Sequence, residues 1–199
     1  MKCECCKEQA IYRCGTCSRM ICGKHVKLRM ICSTCTKKNT LRYVITGDIT
    51  DEERKEIQEL VKRFWGEPEQ WTFDRKFKVA TLPAYVAKTK DAIAGFVSFA
   101  ETDDNIIIVA LGVLPEYQNS GAGRALIKEV EGYAKRLGKR KLLVSTSNDD
   151  LPAVAFYQFL DFQIFEVKPN VIAKKHGEIV KGICGLPVRD ELRMRKILQ

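Results

Sequence analysis

The sequence predicts two parts: a small cysteine-rich module over residues 1–40 and an α+β domain over residues 41–199. Eight of the nine cysteines lie before residue 36. Beyond residue 40, β-branched runs bounded by polar turns indicate strands, and they alternate with segments whose apolar residues recur every three or four positions, as in helices. In the stretch from Asn105 to Leu137, a strand runs into a glycine-rich loop that opens a helix.

Composition places the chain among globular proteins. It has 199 residues, of which 45% are hydrophobic and 30% charged, enough for one medium domain plus a small one. No apolar run approaches the roughly 18 residues of a membrane span, and the first five residues do not form a signal peptide. We therefore expect a cytoplasmic protein with no membrane partner. In such a chain, clustered cysteines indicate metal binding rather than disulfides.

The module contains four pairs of metal-ligating residues, each separated by two residues. That gap lets both side chains of a pair reach one tetrahedral ion, so the four pairs predict two zinc ions. Because forty residues bury too little apolar surface to fold alone, zinc should be structural and required for folding. Cys5 is left over; it could replace Cys3 or Cys6, or be a surface thiol. The predicted ligands are Cys3, Cys6, Cys14, Cys17, Cys22, His25, Cys32 and Cys35.

The order of these pairs resembles the cross-braced zinc modules of the B-box and RING kind. In those modules the first pair works with the third and the second with the fourth. The resemblance implies one zinc held by Cys3, Cys6, Cys22 and His25, and a second held by Cys14, Cys17, Cys32 and Cys35. Sequential pairing, as in two separate fingers, would use the same residues.

Charge is concentrated in the module, where residues 1–40 hold nine Lys or Arg and two Glu, or +7 of the total +9. Seven thiolates and two zinc ions would reduce this to about +4. Such a patch suits a solvated face, a protein contact or nucleic acid. Tyr12 is the one aromatic residue of the segment, so we favour a solvated face or a protein contact over single-stranded nucleic acid.

The second domain begins with a strand at Leu41 to Thr46. Thr50 and Glu53 form a capping box, and the helix after it carries one apolar stripe, made of Ile57, Leu60, Val61 and Phe64. The region from Gly66 to Leu82 lacks periodicity. A hairpin of Tyr85–Lys88 and Ile93–Ala100 then leads into the strand from Asn105, which predicts a meander of three antiparallel strands.

A long helix follows the glycine-rich loop and ends near Gly138, which suits a left-handed cap. The predicted elements after it are a buried strand at Lys141–Thr146, a helix capped by Asn148–Asp150, and two closing strands around a loop from Lys174 to Pro187. In the last strand, Arg193 and Arg195 alternate with apolar residues, as in a half-exposed strand.

The loop between strand and helix is suited to binding an anion. At a helix start the first amides have no partner within the helix, the dipole is positive, and glycines allow a phosphate to approach the backbone. The simpler alternative is that Gly121 and Gly123 merely form a tight turn.

Gln118-x-x-Gly121-x-Gly123, preceded by Val113-x-Pro115, resembles the acyl-coenzyme A signature of the GNAT N-acetyltransferase superfamily. The resemblance implies a central, mostly antiparallel mixed sheet flanked by helices, and acetyl-CoA as cosubstrate. It also implies a bulged strand end near Ala110 to Val113 that splays from its neighbour to expose backbone to pantetheine. The sequence departs from the family at Asn119-Ser120, where Gly and a basic residue are common. The implied coenzyme-binding residues are Leu111, Val113, Gln118, Asn119, Ser120, Gly121, Ala122, Gly123, Arg124 and Asn148.

Ala153-x3-Tyr157-x4-Phe162 resembles the second GNAT signature. That resemblance implies that the phenol of Tyr157 lies beside the coenzyme sulfur and protonates the departing thiolate. The alternative is an aromatic residue packed on an amphipathic helix. Two departures are Asp161, where the family has Gly, and Asn148, which lies two residues further from the alanine than is typical.

The resulting prediction is an N-acetyltransferase that moves acetyl directly from acetyl-CoA to a primary amine on a protein or peptide, with the zinc module recruiting or orienting that substrate. The alternative is a non-catalytic CoA-binding or regulatory protein whose zinc module binds protein or nucleic acid. Trp65 and Trp71 could line the acceptor groove, but buried or half-buried packing is the commoner fate of tryptophan. Candidates for the base are Glu67, Glu69, Glu101, Asp103, Asp104 and Glu116.

Overall fold

The computed structural model describes residues 2–3, 6–9, 12–13, 20–21 and 42–199, and for residues 12–13, 20–21 and 184 the backbone alone. Two of the eight predicted zinc ligands, Cys3 and Cys6, lie in these ranges. The other six fall outside the described residues: Cys14, Cys17, Cys22, His25, Cys32 and Cys35. Within the described ranges, no group of three or more His, Cys, Asp or Glu side chains could hold a metal ion.

The strands of the described residues, in chain order, are β1 Tyr12–Arg13, β2 Met20–Ile21, β3 Val44–Thr46, β4 Glu69–Thr72, β5 Arg75–Lys78, β6 Ala84–Lys88, β7 Ile93–Glu101, β8 Asn105–Val113, β9 Lys141–Ser147, β10 Gln163–Lys168, β11 Val180–Lys181, β12 Pro187–Val188 and β13 Glu191–Ile197. The α-helices are α1 Asp51–Trp65, α2 Ala122–Arg136, α3 Leu151–Gln158 and α4 Val171–His176. Among these helices, none is both long enough and apolar enough to cross a lipid bilayer.

Seven strands form one sheet in the order β10-β13-β9-β8-β7-β6-β3. Neighbours are antiparallel except β8 and β9, which are parallel. The parallel pair is joined by α2, the crossover that parallel neighbours require. Three short antiparallel pairs complete the described strands, namely β1 with β2, β4 with β5 and β11 with β12. The prediction of a mixed sheet flanked by helices is therefore confirmed.

Helices α1 and α2 cover opposite faces of this sheet. Side chains alternate along β7, so Phe96 packs with Ile57 and Val61 of α1, whereas Val97 packs with Leu126 and other apolar residues of α2. The capping box of α1 is confirmed, since Thr50 accepts from the Glu53 amide and the Glu53 carboxylate accepts from the Thr50 amide. The sheet therefore has one apolar core on each face.

The sheet opens at its centre. Parallel pairing of β8 with β9 runs from Asn105 to Ile108 and ends at Val144. A register shift opposite Ser98 and Phe99 makes Val109 an extra residue, which is a β-bulge. Beyond it, β8 keeps β7 as its neighbour while β9 continues with β13. The predicted bulge and splay are confirmed, and the bulge lies one residue earlier than expected.

Gly112 lies on the splayed part of β8 for a packing reason. A Cβ at this position would lie 2.7 Å from the Phe64 ring and 3.1 Å from Phe96. The last turn of α1 therefore rests directly on the backbone of β8. This contact fixes the position of α1 at the edge of the opening.

The structure adds one hairpin that the sequence left unassigned, and it overturns one expectation. The region from Gly66 to Leu82, which showed no periodicity, contains the hairpin β4–β5, and Arg193, expected to be half-exposed, is buried. The hairpin turn at Phe73 and Asp74 has positive φ values of 52° and 59° without a glycine, so the usual turn signal is missing. Arg193 is buried because three carboxylates, those of Asp74, Glu166 and Glu191, surround it.

We predict that Gly112→Ala destabilises the protein by about 1–3 kcal/mol, because the new methyl group would displace Phe64. Urea unfolding followed by circular dichroism would measure the change in the free energy of unfolding. Gly132→Ala is the control: its Cβ would meet only Arg136 Nη1 at 3.6 Å, and it should stabilise α2 by about 0.5–1 kcal/mol. Equal unfolding midpoints for the two variants would contradict the packing role of Gly112.

Candidate active site

A cavity of about 780 Å³ lies where β8 and β9 part. One wall is formed by Ala110 and Leu111 of β8 and the other by residues 145–147 of β9. Tyr157 of α3 also lines it, and residues 69–72 of β4 cover it from the side of α1. Since this part of β8 has no strand on the β9 side, its backbone groups face the cavity and can pair with an extended ligand.

The glycine-rich loop begins α2 next to this opening. Gly121 is the residue before the helix, with φ of +88° and no side-chain cap, and the first helical bond runs from the Ala125 amide to its carbonyl. The amides of Gly123 and Arg124 therefore precede the helical ladder and are available to an anion. Gln118 closes the loop by donating from Nε2 to the Val113 carbonyl at 3.3 Å.

Gly123 also joins the loop to α3. A Cβ at this position would lie 3.3 Å from the ring of Phe156. Phe156 in turn packs edge-on against Tyr157, with ring centroids 5.2 Å apart. Phe156 therefore connects the glycine-rich loop to the phenol of Tyr157.

Tyr157 is buried, with 6% of its surface exposed, between Phe156 and Phe162. Burial raises the pKa of its phenol, and the negative charge of Asp150 raises it further. The hydroxyl is therefore protonated at neutral pH and can act as a hydrogen donor in the cavity. Tyr157 thus packs against the core on one side and lines the cavity on the other, an arrangement that both interpretations of this residue require.

Asn148 lies at the end of β9, where its side chain holds a neighbouring segment. We call residues 180–190 the strap. Asn148 Oδ1 accepts from the amides of Arg189 and Asp190, each at 2.9 Å, and Nδ2 donates to the Pro187 carbonyl at 2.8 Å. The backbone amide of Asn148 also donates to the strap, at 3.0 Å from the Asp190 carbonyl, and Asn148 is not among the residues that line the cavity. The predicted contact of Asn148 with pantetheine would therefore require these bonds to the strap to change.

Both tryptophans line the cavity and are partly exposed. Trp65 is 41% exposed and Trp71 is 49% exposed. The indole of Trp71 lies between two ammonium groups, with Lys76 Nζ at 5.9 Å and Lys175 Nζ at 5.8 Å from the ring centroid. Trp65 also packs edge-on against the buried ring of Phe96, with centroids 6.3 Å apart, so half-buried packing describes it as well. The arrangement around Trp71 is typical of cation–π contacts.

Among the carboxylates named from the sequence, Glu67 and Glu69 line the cavity, whereas Glu101, Asp103, Asp104 and Glu116 do not. Sequence reasoning missed three cavity carboxylates, those of Asp74, Asp150 and Glu191. Asp150 was recognised only as a helix cap, a role it fulfils by accepting from the Ala153 amide. The other two become neighbours of the cavity through the hairpin β4–β5 and through β13, which no local signal reveals.

A comparison with known protein families identifies the family of this chain. The model of the Acetyltransferase (GNAT) family matches residues 49–162 of this chain. The chain belongs to the GNAT acetyltransferase family. The match spans the region from the start of α1 to the end of the second GNAT signature, and so includes the loop, the splayed strand and Tyr157.

The chain is also similar to individual proteins. The uncharacterized protein YdhI of Bacillus subtilis (strain 168) is 27% identical over 149 residues, which is 71% of this chain and 91% of that protein. An IAA acetyltransferase from Bacillus cereus ATCC 14579 superposes with a TM-score of 0.61 at 23% identity, covering 79% of this chain and all of its own. A GNAT family acetyltransferase from Elizabethkingia anophelis with acetyl-CoA bound gives 0.60 at 20% identity, covering 81% and 100%. The two structures share the fold of this chain.

The raised pKa of Tyr157 can be tested by titration. Because burial favours the neutral phenol, Tyr157 should stay protonated above pH 10, and stability should fall as pH rises past about 10, where the unfolded chain loses this proton first. The difference in tyrosinate absorbance between wild type and Tyr157→Phe reports this group alone. A midpoint near pH 10 in the folded protein, equal to that in denaturant, would contradict the burial.

Proposed function

We propose that the chain is an N-acetyltransferase that moves the acetyl group of acetyl-CoA directly to a primary amine on a protein or peptide. The observation that carries the proposal is the position of Tyr157 in the opening between β8 and β9, beside the free start of α2. The GNAT relative with acetyl-CoA bound supports the choice of donor.

Separate parts of the site would bind the coenzyme and donate the proton. Amides of Gly123 and Arg124 and the exposed guanidinium of Arg124 would bind the pyrophosphate, while the splayed backbone from Leu111 to Val113 would pair with pantetheine. Because Asn119 and Ser120 carry no charge, backbone amides must supply most of the phosphate binding. Tyr157 would then donate its proton to the thiolate that leaves when the amine attacks.

The lining of the cavity suits an amine acceptor. It includes five carboxylates and the aromatic rings of Phe64, Trp65 and Trp71. Carboxylates and indole faces both attract an ammonium group. Two lysines of the chain already show this, since Lys76 and Lys175 lie at the Trp71 ring and pair with Glu69 and Glu67, and an acceptor amine would compete with them. Glu67 and Glu69 are the two base candidates from the sequence that lie in this lining, and either could accept the proton that the ammonium must lose before attack.

Tyr157→Phe tests the proposal. Removing the phenolic hydroxyl should lower kcat by about 10²–10⁴-fold, the usual contribution of a positioned general acid, while binding of CoA stays intact. The rate of acetyl transfer to a panel of peptides, polyamines and small amines would be measured with labelled acetyl-CoA.

Tyr133→Phe is the matched control for this experiment. Tyr133 donates to Glu101 at 2.6 Å and does not line the cavity, so its removal should leave the rate unchanged. Equal rates for wild type and Tyr157→Phe would refute the acid role. CoA binding without transfer to any amine would favour the alternative of a non-catalytic CoA-binding regulator.

The zinc module is part of the same proposal, and we assign it to recruiting or orienting the protein substrate. The described residues fit a zinc-binding pair: Cys3 is 1% exposed, and a bond from the Lys7 amide to the Cys3 carbonyl closes the turn that carries both Cys3 and Cys6. Lys7 has a positive φ of 65°, and the Cys3 amide donates to the Glu8 carbonyl. Such a turn brings two thiolates within reach of one ion.

Metal analysis of the purified full chain should find about two zinc ions per chain, as four ligand pairs require. Cys6→Ser should reduce the zinc content, because it removes one ligand of the first pair. Cys5→Ser is the control, since Cys5 is outside the predicted ligand set and its loss should leave both ions bound. A zinc content of zero or one in wild type would overturn the proposal of four pairs.

A further inference from the structure

The hairpin β4–β5 is a separate element above the cavity. Its strands pair only with each other in register from Glu69 with Lys78 to Thr72 with Arg75, and it does not join the seven-stranded sheet. Trp71, Thr72 and Asp74 of this hairpin line the cavity. Side-chain contacts must therefore determine where this wall of the cavity stands.

Those contacts converge on Arg193 of β13. Its guanidinium is 5% exposed, with Nη2 2.8 Å from Asp74 Oδ2 and 2.8 Å from Glu191 Oε2. Nη1 donates to Glu166 Oε2 at 3.0 Å, and the guanidinium lies over the ring of Phe73 at 5.0 Å. One arginine thus joins the tip of the hairpin to β10 and to its own strand. The neighbouring guanidinium also lowers the pKa of Asp74, so the ion pair persists at neutral pH.

Two further hydrogen bonds hold the tip of the hairpin β4–β5. Glu191 Oε1 accepts from the Phe73 amide at 3.1 Å, and Thr72 Oγ1 lies 2.6 Å from Ser145 Oγ. The positive φ values of Phe73 and Asp74 are costly for residues with a side chain, and such a conformation persists only where the surroundings fix it. Arg193 and Glu191 provide those surroundings.

We propose that Arg193 is a positioning residue for the acceptor amine: it fixes the β4–β5 hairpin over the cavity without touching the reactants. The proposal rests on the N-acetyltransferase function proposed above. The ion pairs of Arg193 join the hairpin, β10 and β13, whereas the proposed coenzyme side is formed by β8, α2 and α3, so loss of the arginine should affect acceptor and donor unequally.

The experiment compares Arg193→Lys with Arg195→Lys in the full chain. Arg195 is on the same strand. Its exposed guanidinium lies 5.3 Å from the Phe165 ring centroid, and it is connected to the hairpin tip only indirectly, through the stacking of Phe165 on Phe73 at 6.4 Å. Arg193→Lys should raise the KM for the acceptor by roughly tenfold or more, since small misplacements of a substrate wall are costly. The KM for acetyl-CoA and the affinity for CoA should change less than twofold, and Arg195→Lys should change neither constant. An equal rise in both KM values, or no change in either, would overturn the proposal.

A second readout does not require turnover. Amide hydrogen exchange of residues 69–78 should accelerate in Arg193→Lys and stay as in wild type in Arg195→Lys, because only the first substitution removes the guanidinium contacts that hold the hairpin. If no amine is acetylated, the function proposed above fails while this exchange measurement still decides the role of Arg193. Unchanged exchange would overturn that role.

Should Arg193→Lys not fold, Asp74→Asn replaces it. Asp74 is exposed at the hairpin tip, so the substitution weakens only one contact of Arg193. The acceptor KM and the exchange of residues 69–78 should shift in the same direction by a smaller amount. Wild-type values of both in Asp74→Asn would overturn the proposal.

Discussion

The separation of β8 from β9 beyond Ile108 and Val144 is the feature on which the rest of the site depends. A parallel pair that stayed joined would satisfy its backbone groups within the sheet and leave no room for a ligand. Here the bulge at Val109 turns β8 away while β13 keeps β9 in place. The same step creates the cavity, exposes backbone for an extended ligand and brings Tyr157 beneath the opening.

Two glycines beside the opening, Gly112 and Gly123, have a packing role. Gly123 leaves room for Phe156, and Gly112 leaves room for Phe64, so each glycine brings a helix against the backbone near the opening. A glycine in a binding motif is usually explained by access of the ligand. In this chain the packing explanation is directly visible, and the two are compatible because the same close approach places Phe156 and Tyr157 beside the loop.

Local signals predicted a large part of the fold. The capping box at Thr50, the meander and the glycine-rich loop are all encoded within a few residues, and the structure confirms them. The hairpin β4–β5 escaped because its turn lacks glycine, and the burial of Arg193 escaped because its partners are at positions 74 and 166 as well as 191. Charge pairs between distant segments have no periodicity that a sequence could reveal.

The two sides of the site are therefore built differently. In the proposed function, the coenzyme side would use backbone groups of a strand and a helix start, whose geometry follows from short motifs that a family can share. The acceptor side would depend on side chains that join an irregular segment to the sheet, as Arg193 does for the hairpin. Because each such clamp depends on a few individual residues, the acceptor side can change while the coenzyme side stays constant, which is how one fold can serve many amines.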